Sequence, residues 1–146
     1  MFHINNIEGA PQAVGTYSQG VMINGVYYFS GQIGLDPESG VLKEGFKSQL
    51  DQILKNIDAL LKGNNLTREN IVKSTIFLTS MADFSMVNEA YTHFFQTPYP
   101  ARSCVEVSAL PKNAVVEIEI IASKHDSKNF NHIYYCIYSS FASFSA

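Results

Sequence analysis

The sequence predicts an α+β fold in which a mixed β-sheet carries two helices on one face. Three observations support this prediction: short β-branched and aromatic runs bounded by turn residues, two apolar stripes with helical spacing, and two late apolar runs joined by a connection too short for an α-helix. With 146 residues, 46% of them hydrophobic and 16% charged, the chain has the size and composition of one globular domain.

The first predicted element is a β-hairpin. Residues 21–23 and 26–29 are rich in β-branched and aromatic side chains, and they flank Asn24-Gly25. This pair favours a type I′ turn because both central residues of such a turn need a positive φ. A second turn is predicted at residues 36–40, where Asp, Pro and Gly occur together.

Two helices are predicted from the spacing of apolar residues. Between residues 48 and 62 the leucines and isoleucines fall on one side of a helix, and Gly63 is expected to take the left-handed position after its end. Asp83 is expected to cap a second helix, and Pro98 and Pro100 are expected to end it. The apolar stripe of the second helix consists of Phe84, Val87, Tyr91, Phe94 and Phe95.

Three strands complete the predicted fold. One spans residues 71–79, and two more span residues 101–107 and 114–122 around a short turn that contains Pro111. In the first of these strands we expect Val72, Ile76 and Leu78 to face one side of the sheet. We expect Lys73, Thr75 and Phe77 to face the other side.

One face of the predicted sheet combines charged and aliphatic side chains. If the apolar faces lie under the helices, period-two alternation leaves Arg102, Glu117 and Glu119 on the uncovered face. Two interpretations remain open. Either a second subunit covers this face, or the sheet is half exposed and its charges form cross-strand ion pairs.

Composition and spacing argue against several classes of function. A net charge of −3 gives no basic surface for nucleic acid or for an anionic membrane. Two cysteines cannot form a disulfide framework, and the four histidines have no metal-ligand spacing, so we predict no metal site. The first twenty residues lack the pattern of a signal peptide, and residues 133–144 are too short for a membrane span, so we predict a cytoplasmic protein.

Several motifs occur together in one order along the chain. Residues 99–107 read Tyr-Pro-Ala-Arg-Ser-Cys-Val-Glu-Val and are followed by Leu110-Pro111 and by Val-Glu-Ile-Glu at residues 116–119. This segment closely resembles the signature of the reactive intermediate deaminase family (RidA, formerly YjgF). Residues 15–20, Gly-Thr-Tyr-Ser-Gln-Gly, and residues 30–33, Ser-Gly-Gln-Ile, resemble its N-terminal segments, and the resemblance extends over about residues 3–124.

The resemblance implies a fold and an activity. Members of this family adopt a chorismate-mutase-like α+β fold and form homotrimers with active sites between subunits. They hydrolyse 2-imino and enamino acids such as 2-aminoacrylate to 2-keto acids and ammonia, as 2-iminobutanoate/2-iminopropanoate deaminases, and they need no cofactor or metal. We therefore expect a deaminase domain at residues 1–124 and an extension of open structure and role at residues 125–146, which holds six of the eighteen Phe and Tyr residues.

The catalytic candidates that the resemblance implies are Arg102, Glu117 and Tyr17. A guanidinium can bind the carboxylate of a 2-imino acid through two parallel hydrogen bonds, and this is the role expected of Arg102. Glu117 is expected to manage the proton of the attacking water, with its pKa raised by burial and lowered by the nearby arginine. Tyr17 is expected to hydrogen-bond substrate or water.

The substrate-binding candidates are Ser30, Gly31, Asn88 and Cys104. Cys104 has no histidine in its motif to activate it, so we interpret it as part of the pocket wall rather than as a nucleophile. The short connection at residues 95–100 is expected to reshape the rim of the cleft.

Each candidate also has a structural interpretation. Arg102 could pair with Glu106 or Glu119, Tyr17 could anchor the N-terminal segment, and Asn88 could be an ordinary surface amide. Ser30 and Gly31 could mark a strand end, and Glu117 could be a structural charge. A second hypothesis for the whole protein is therefore a non-catalytic module that binds small carboxylates, whereas the absence of a histidine pair and of a basic aromatic patch disfavours a ribonuclease.

Overall fold

The computed structural model describes residues 1–124 of the chain. Its regular elements, in chain order, are β1 (Phe2–Ile4), β2 (Gly20–Ile23), β3 (Val26–Phe29), α1 (Phe46–Gly63), β4 (Ile71–Leu78), α2 (Phe84–Phe94), β5 (Ala101–Glu106) and β6 (Val116–Ser123). The strands form one sheet in the order β1-β2-β3-β6-β4-β5. All neighbouring strands are antiparallel except β4 and β5, which are parallel. The predicted α+β fold with a mixed sheet is confirmed.

Both helices pack on the same face of the sheet, as predicted. Ile53, Ile57 and Leu60 of α1 are buried in one cluster with Ile76 and with the other sheet residues of that face. From α2, the phenol of Tyr91 reaches the sheet and donates a hydrogen bond of 3.2 Å to the buried Ser74 Oγ. The core therefore lies between the two helices and one side of the sheet, and the other side has no helix over it within residues 1–124.

Local sequence signals predicted the two turns correctly. Asn24 and Gly25 both have positive φ, 51° and 77°, as a type I′ turn between β2 and β3 requires. In the second turn, Asp36 Oδ1 accepts hydrogen bonds from the backbone N–H groups of Glu38 and Ser39. These bonds, together with the ammonium of Lys43, hold the pKa of the Asp36 carboxyl well below its ordinary value.

Three details of the predicted elements are wrong. Gly63 is the last residue of α1 rather than a left-handed cap, and the positive φ of 55° belongs to Asn65. Gly63 is instead required by packing, because a Cβ there would lie 2.7 Å from Cγ2 of Ile7. Asp83 precedes α2 without a capping bond from its side chain, whereas Ser80 caps the preceding 3₁₀ turn through the N–H of Ala82.

The third wrong detail concerns Val72. The register between β4 and β6 shifts between Ile71 and Lys73, so the strand bulges and the alternation of faces is interrupted at this point. Val72 is 43% exposed as a result, and Ile71 takes its place in the core.

The short strand β1 was not predicted. It pairs with β2 at one edge of the sheet, where its outer edge is free of any strand of residues 1–124. Within the same residues, no helix combines the length and the apolar character that crossing a membrane requires. The predicted extension at residues 125–146 lies outside the described residues.

Candidate functional site

Arg102 is held at the edge of the sheet by side chains of α2. Its Nη1 donates a hydrogen bond of 2.6 Å to Oδ1 of Asn88. The guanidinium carbon lies 5.1 Å from the ring centroid of Phe84 and 5.8 Å from that of Tyr91, within the range of cation–π attraction. We call these four residues the arginine cluster.

The spacing of three residues on α2 explains this cluster. Phe84, Asn88 and Tyr91 are separated by four and three residues, so they form one stripe along the helix. Asn88 was a candidate from the sequence, whereas Phe84 and Tyr91 were assigned only to the core. The presence of a polar residue within an otherwise apolar stripe is the signal that could have identified all three as neighbours of a charged group.

Burial raises the pKa of Tyr91 to about 12, against smaller lowering effects of Ser74 and Arg102. The phenol therefore stays protonated at neutral pH and keeps its hydrogen bond to Ser74. This bond fixes the ring that lies beside the guanidinium.

The ion pairs considered for Arg102 do not form within residues 1–124. Glu106 instead accepts a hydrogen bond of 2.7 Å from the backbone N–H of Met81, and no carboxylate lies within 4.0 Å of the guanidinium in this part of the chain. Arg102 lies beside Ser74 of β4, whereas Glu119 lies beside Thr75 of the same strand. Successive residues of a strand face opposite sides, so Glu119 and Arg102 lie on opposite faces of the sheet. The remaining N–H donors of Arg102 are thus available to a ligand.

Cys104 lies two residues along β5 on the same face as Arg102. It is half-buried, and desolvation raises the pKa of its thiol, although the charge of Arg102 lowers it. A thiol whose pKa is raised carries little thiolate at neutral pH, which agrees with the interpretation of Cys104 as a wall residue.

Glu117 projects from β6 on the face of the sheet that the helices leave open. Its carboxylate is half-buried against Gly31, and a Cβ on Gly31 would collide with it. Desolvation raises the pKa of Glu117, and the neighbouring negative charge of Glu119 raises it further. No cation pairs with Glu117 within residues 1–124, so the predicted lowering by Arg102 does not occur inside one chain.

Backbone hydrogen bonds hold the segment of Gly31 beside Glu117. Gln32 and Ile118 exchange both of their N–H···O bonds, at 2.8 and 3.0 Å. Ser30 donates from Oγ to the carbonyl of Ser18 at 2.6 Å, which leaves its oxygen as an acceptor. Ser30, Gly31 and Glu117 form the centre of what we call the glutamate cluster.

Tyr17 belongs to the same side of the molecule. It lines an open cavity of about 500 Å³ with Ser30, Gly20 and five other residues, which are His3, Thr16, Ser18, Val21 and Tyr28. Its ring is 56% exposed, so it does little to anchor the N-terminal segment. Gln19 provides that anchor, because its buried amide binds the N–H of Ile7 and the carbonyl of Pro11.

The structure does not bring Arg102 and Glu117 together in one chain. Arg102 pairs in register with Ser74 on the helix side, whereas Glu117 pairs with Phe77 on the open side. The strand β4 also separates β5 from β6, which amounts to about 10 Å across the sheet. The prediction that Arg102 and Glu117 share one face of the sheet is therefore wrong. Alternation along a strand shows which of its residues lie on the same side, but in a polar edge strand it does not show which side faces the helices.

The described residues contain no group of three or more His, Cys, Asp or Glu side chains that could hold a metal ion.

The sheet order, the two helices and these clusters define a class of small α+β proteins with the chorismate-mutase-like arrangement. A model of the family described as Endoribonuclease L-PSP matches residues 7–124. A RutC family protein from Aquifex aeolicus is 53% identical over 117 residues, which cover 79% of this chain and 94% of that protein. The chain belongs to this family, which is also called the RidA/YjgF family.

Two further relatives carry names that describe an activity or a family member. The 2-iminobutanoate/2-iminopropanoate deaminase of Bos taurus is 46% identical over 114 residues, which cover 77% of this chain and 83% of that protein. The crystal structure of RidA from the Antarctic bacterium Psychrobacter sp. PAMC 21119 has a TM-score of 0.80 and 44% identity, and the match covers 82% of this chain and 98% of that one. The fold and the family predicted from the sequence are confirmed.

Proposed function

We propose that this protein is a deaminase that hydrolyses 2-imino and enamino acids to 2-keto acids and ammonia. The observation that carries the proposal is the state of Arg102, whose guanidinium is oriented by Asn88 and two rings and yet has no carboxylate partner within residues 1–124. A planar cation prepared in this way fits the carboxylate of a small 2-imino acid. The name of the bovine relative supports the same reaction.

The two clusters act on one substrate only if they come from different chains. Since Arg102 and Glu117 lie on opposite faces of the sheet, we propose that the protein forms a homotrimer in which the arginine cluster of one subunit meets the glutamate cluster of the next. The open face also carries apolar side chains such as Val105, which is 45% exposed and would be buried by such a contact.

The reaction requires the addition of water to a C=N bond and the loss of ammonia. Arg102 binds the substrate carboxylate, and the Glu117 carboxylate takes a proton from water while the oxygen bonds to the imine carbon. Glu117 returns this proton to nitrogen, which gives a tetrahedral adduct with a hydroxyl and an amino group. Glu117 then takes the hydroxyl proton and transfers it to nitrogen as the C–N bond breaks, so the products are a 2-keto acid and ammonia. We assign to Ser30 Oγ and the Tyr17 hydroxyl, which line one cavity, the role of orienting the water or the imine nitrogen.

This function is tested by generating 2-aminoacrylate in situ and measuring how far the protein suppresses semicarbazone formation in competition with semicarbazide. We expect suppression by the wild type and by Lys47→Ala, which removes an exposed cation outside both clusters. Arg102→Ala is expected to lose about 10²-fold or more in kcat/KM, since two charge-assisted hydrogen bonds are worth about 1.5–3 kcal/mol each. Full activity in Arg102→Ala would refute the role of the arginine.

The assembly is tested by mixing Arg102→Ala and Glu117→Gln, each of which is expected to lose most of its activity, under conditions in which subunits exchange. If each site takes its arginine and its glutamate from different chains, about one quarter of the sites in a random mixture of trimers regain both groups. A mixture that stays inactive although subunits have exchanged contradicts a site between subunits.

A second candidate function is binding of small carboxylates without turnover. It is favoured by the arginine cluster alone, which is complete within one chain. Equilibrium binding of a 2-keto acid, measured alongside turnover, separates the two functions. The predicted cytoplasmic location and the absence of a cofactor remain predictions.

A further inference from the structure

A cavity of about 500 Å³ lies beside Arg102 at the end of α2. It is lined by Asn88, Tyr91, Thr92, Tyr99, Pro100 and Arg102. Arg102, Asn88 and Thr92 supply the polar part of this lining, and the rings of two tyrosines and a proline supply the apolar part. A site with a single charged anchor and apolar walls fits a small molecule that has a carboxylate at one end and an apolar group at the other.

Among the residues that line this cavity, Tyr99 has no evident role in the packing of the chain. Its side chain is 55% exposed and belongs to no buried cluster of residues 1–124. Its backbone is nevertheless constrained, because Pro98 and Pro100 have fixed φ and a residue before proline is confined to extended conformations. An aromatic ring that is exposed on a rigid segment loses little entropy when a ligand binds against it.

The volume of the cavity exceeds what the smallest substrates of the proposed reaction fill. A three-carbon 2-imino acid has six non-hydrogen atoms, and at the roughly 30 Å³ that a water molecule occupies in the liquid it would fill well under half of the space. Tyr91 and Tyr99 both line this cavity, so a larger substrate side chain would meet their rings.

We propose that the cavity receives the side chain of the substrate, with Tyr99 as its specificity-determining residue, and that the protein favours 2-imino acids with an aromatic side chain over three-carbon ones. This inference rests on the proposed function, because it requires that Arg102 hold the substrate carboxylate. The substrate ring then packs against Tyr99 on one side and Tyr91 on the other, in the offset or edge-on geometry that aromatic pairs prefer.

The test compares the 2-imino acids of phenylalanine and alanine, each made in situ by an amino-acid oxidase and followed by competition with semicarbazide. We expect the wild type to have the higher kcat/KM for the aromatic imine. Tyr99→Ala is expected to lower the ratio of the two kcat/KM values about tenfold, which is the size of an aromatic pair plus the area that it buries. Tyr99→Phe keeps the ring and is expected to keep the ratio.

The control variant is Phe2→Ala, which removes an aromatic side chain that is 61% exposed on β1, at the other edge of the sheet. It is expected to leave the ratio unchanged. The inference would be overturned if Tyr99→Ala left the ratio unchanged, which includes an equal loss of kcat/KM for both imines. It would also be overturned if the wild type showed no preference for the aromatic imine. In both cases the deaminase function would stand. A wild type that hydrolyses neither imine faster than buffer refutes the proposed function itself.

Discussion

Replacing Gly31 by alanine tests whether the Glu117 carboxylate needs the space that this glycine leaves. A Cβ at position 31 would collide with Glu117 Oε1 and would lie 2.9 Å from its carboxyl carbon and 3.1 Å from Cγ. Atoms of this kind pack at about 3.5–4.0 Å, so the carboxylate must move by roughly 1 Å or more. The φ of Gly31 is not positive, so alanine meets no backbone strain there and the collision is the only new cost.

Two effects are expected from this displacement. Because Glu117 is a half-buried side chain that can move aside, the added methyl group is expected to cost about 1 kcal/mol of unfolding free energy, the low end of the range for overpacking. Moving a catalytic group by about 1 Å lowers the rate about 10²-fold, and we expect this loss in kcat for a 2-imino acid. Urea unfolding at one fixed chain concentration measures the first effect, because the stability of an oligomer depends on concentration.

A double-mutant cycle identifies the cause. In a Glu117→Ala background the colliding carboxylate is absent, so Gly31→Ala should cost less than about 0.5 kcal/mol of unfolding free energy. The interaction energy between the two positions should then be about 0.5–1 kcal/mol. If instead the unfolding free energy lost by the double variant equals the sum of the losses of the two single variants to within about 0.5 kcal/mol, Gly31 is not required by Glu117. The reasoning about the collision would then be refuted.

The other predictions concern the titration and orientation of the site residues. Because the pKa of Glu117 is raised, kcat/KM should rise with pH through a midpoint above the ordinary glutamate value, and Glu117→Gln should lack this step. Because the pKa of Glu117 is higher in the folded state, folding favours its protonated form, and this contribution to stability is lost as the pH rises through the raised pKa. A glutamine side chain does not titrate, so over this pH interval the unfolding free energy of Glu117→Gln should increase relative to that of the wild type. Asn88→Ala should raise KM about tenfold with little change in kcat, because it frees the guanidinium of Arg102 without removing it, and an unchanged KM would contradict the positioning role. Iodoacetamide should modify Cys104 more slowly than a free thiol at pH 7, as measured by mass spectrometry of its peptide; modification at the rate of a free thiol would contradict its raised pKa.

Local patterns were sufficient for much of the fold. Asn24-Gly25 predicted its turn because the requirement for positive φ lies in the two residues themselves. Gly63 was misinterpreted because its reason is a contact with Ile7, more than fifty positions away in the chain, which a local pattern does not contain.

The candidate site was predictable residue by residue but not in its arrangement. Alternation along β5 correctly grouped Arg102 with Cys104, yet the face that these residues share depends on pairing with β4. A buried strand reveals its inner face by apolar residues, whereas β5 is an edge strand that carries exposed side chains on both faces. The stacking of Phe84 on Arg102 likewise follows from how α2 packs, which no single segment specifies.

The position of β4 between the two clusters has a consequence for how the protein responds to dilution. A single folded chain contains each half of the proposed site but never a whole one. Turnover per chain would therefore decline as the chains are diluted below the dissociation constant of their assembly, even though every chain remains folded. The concentration of the protein, and not only the amount of folded chain, would then determine whether an imine is hydrolysed.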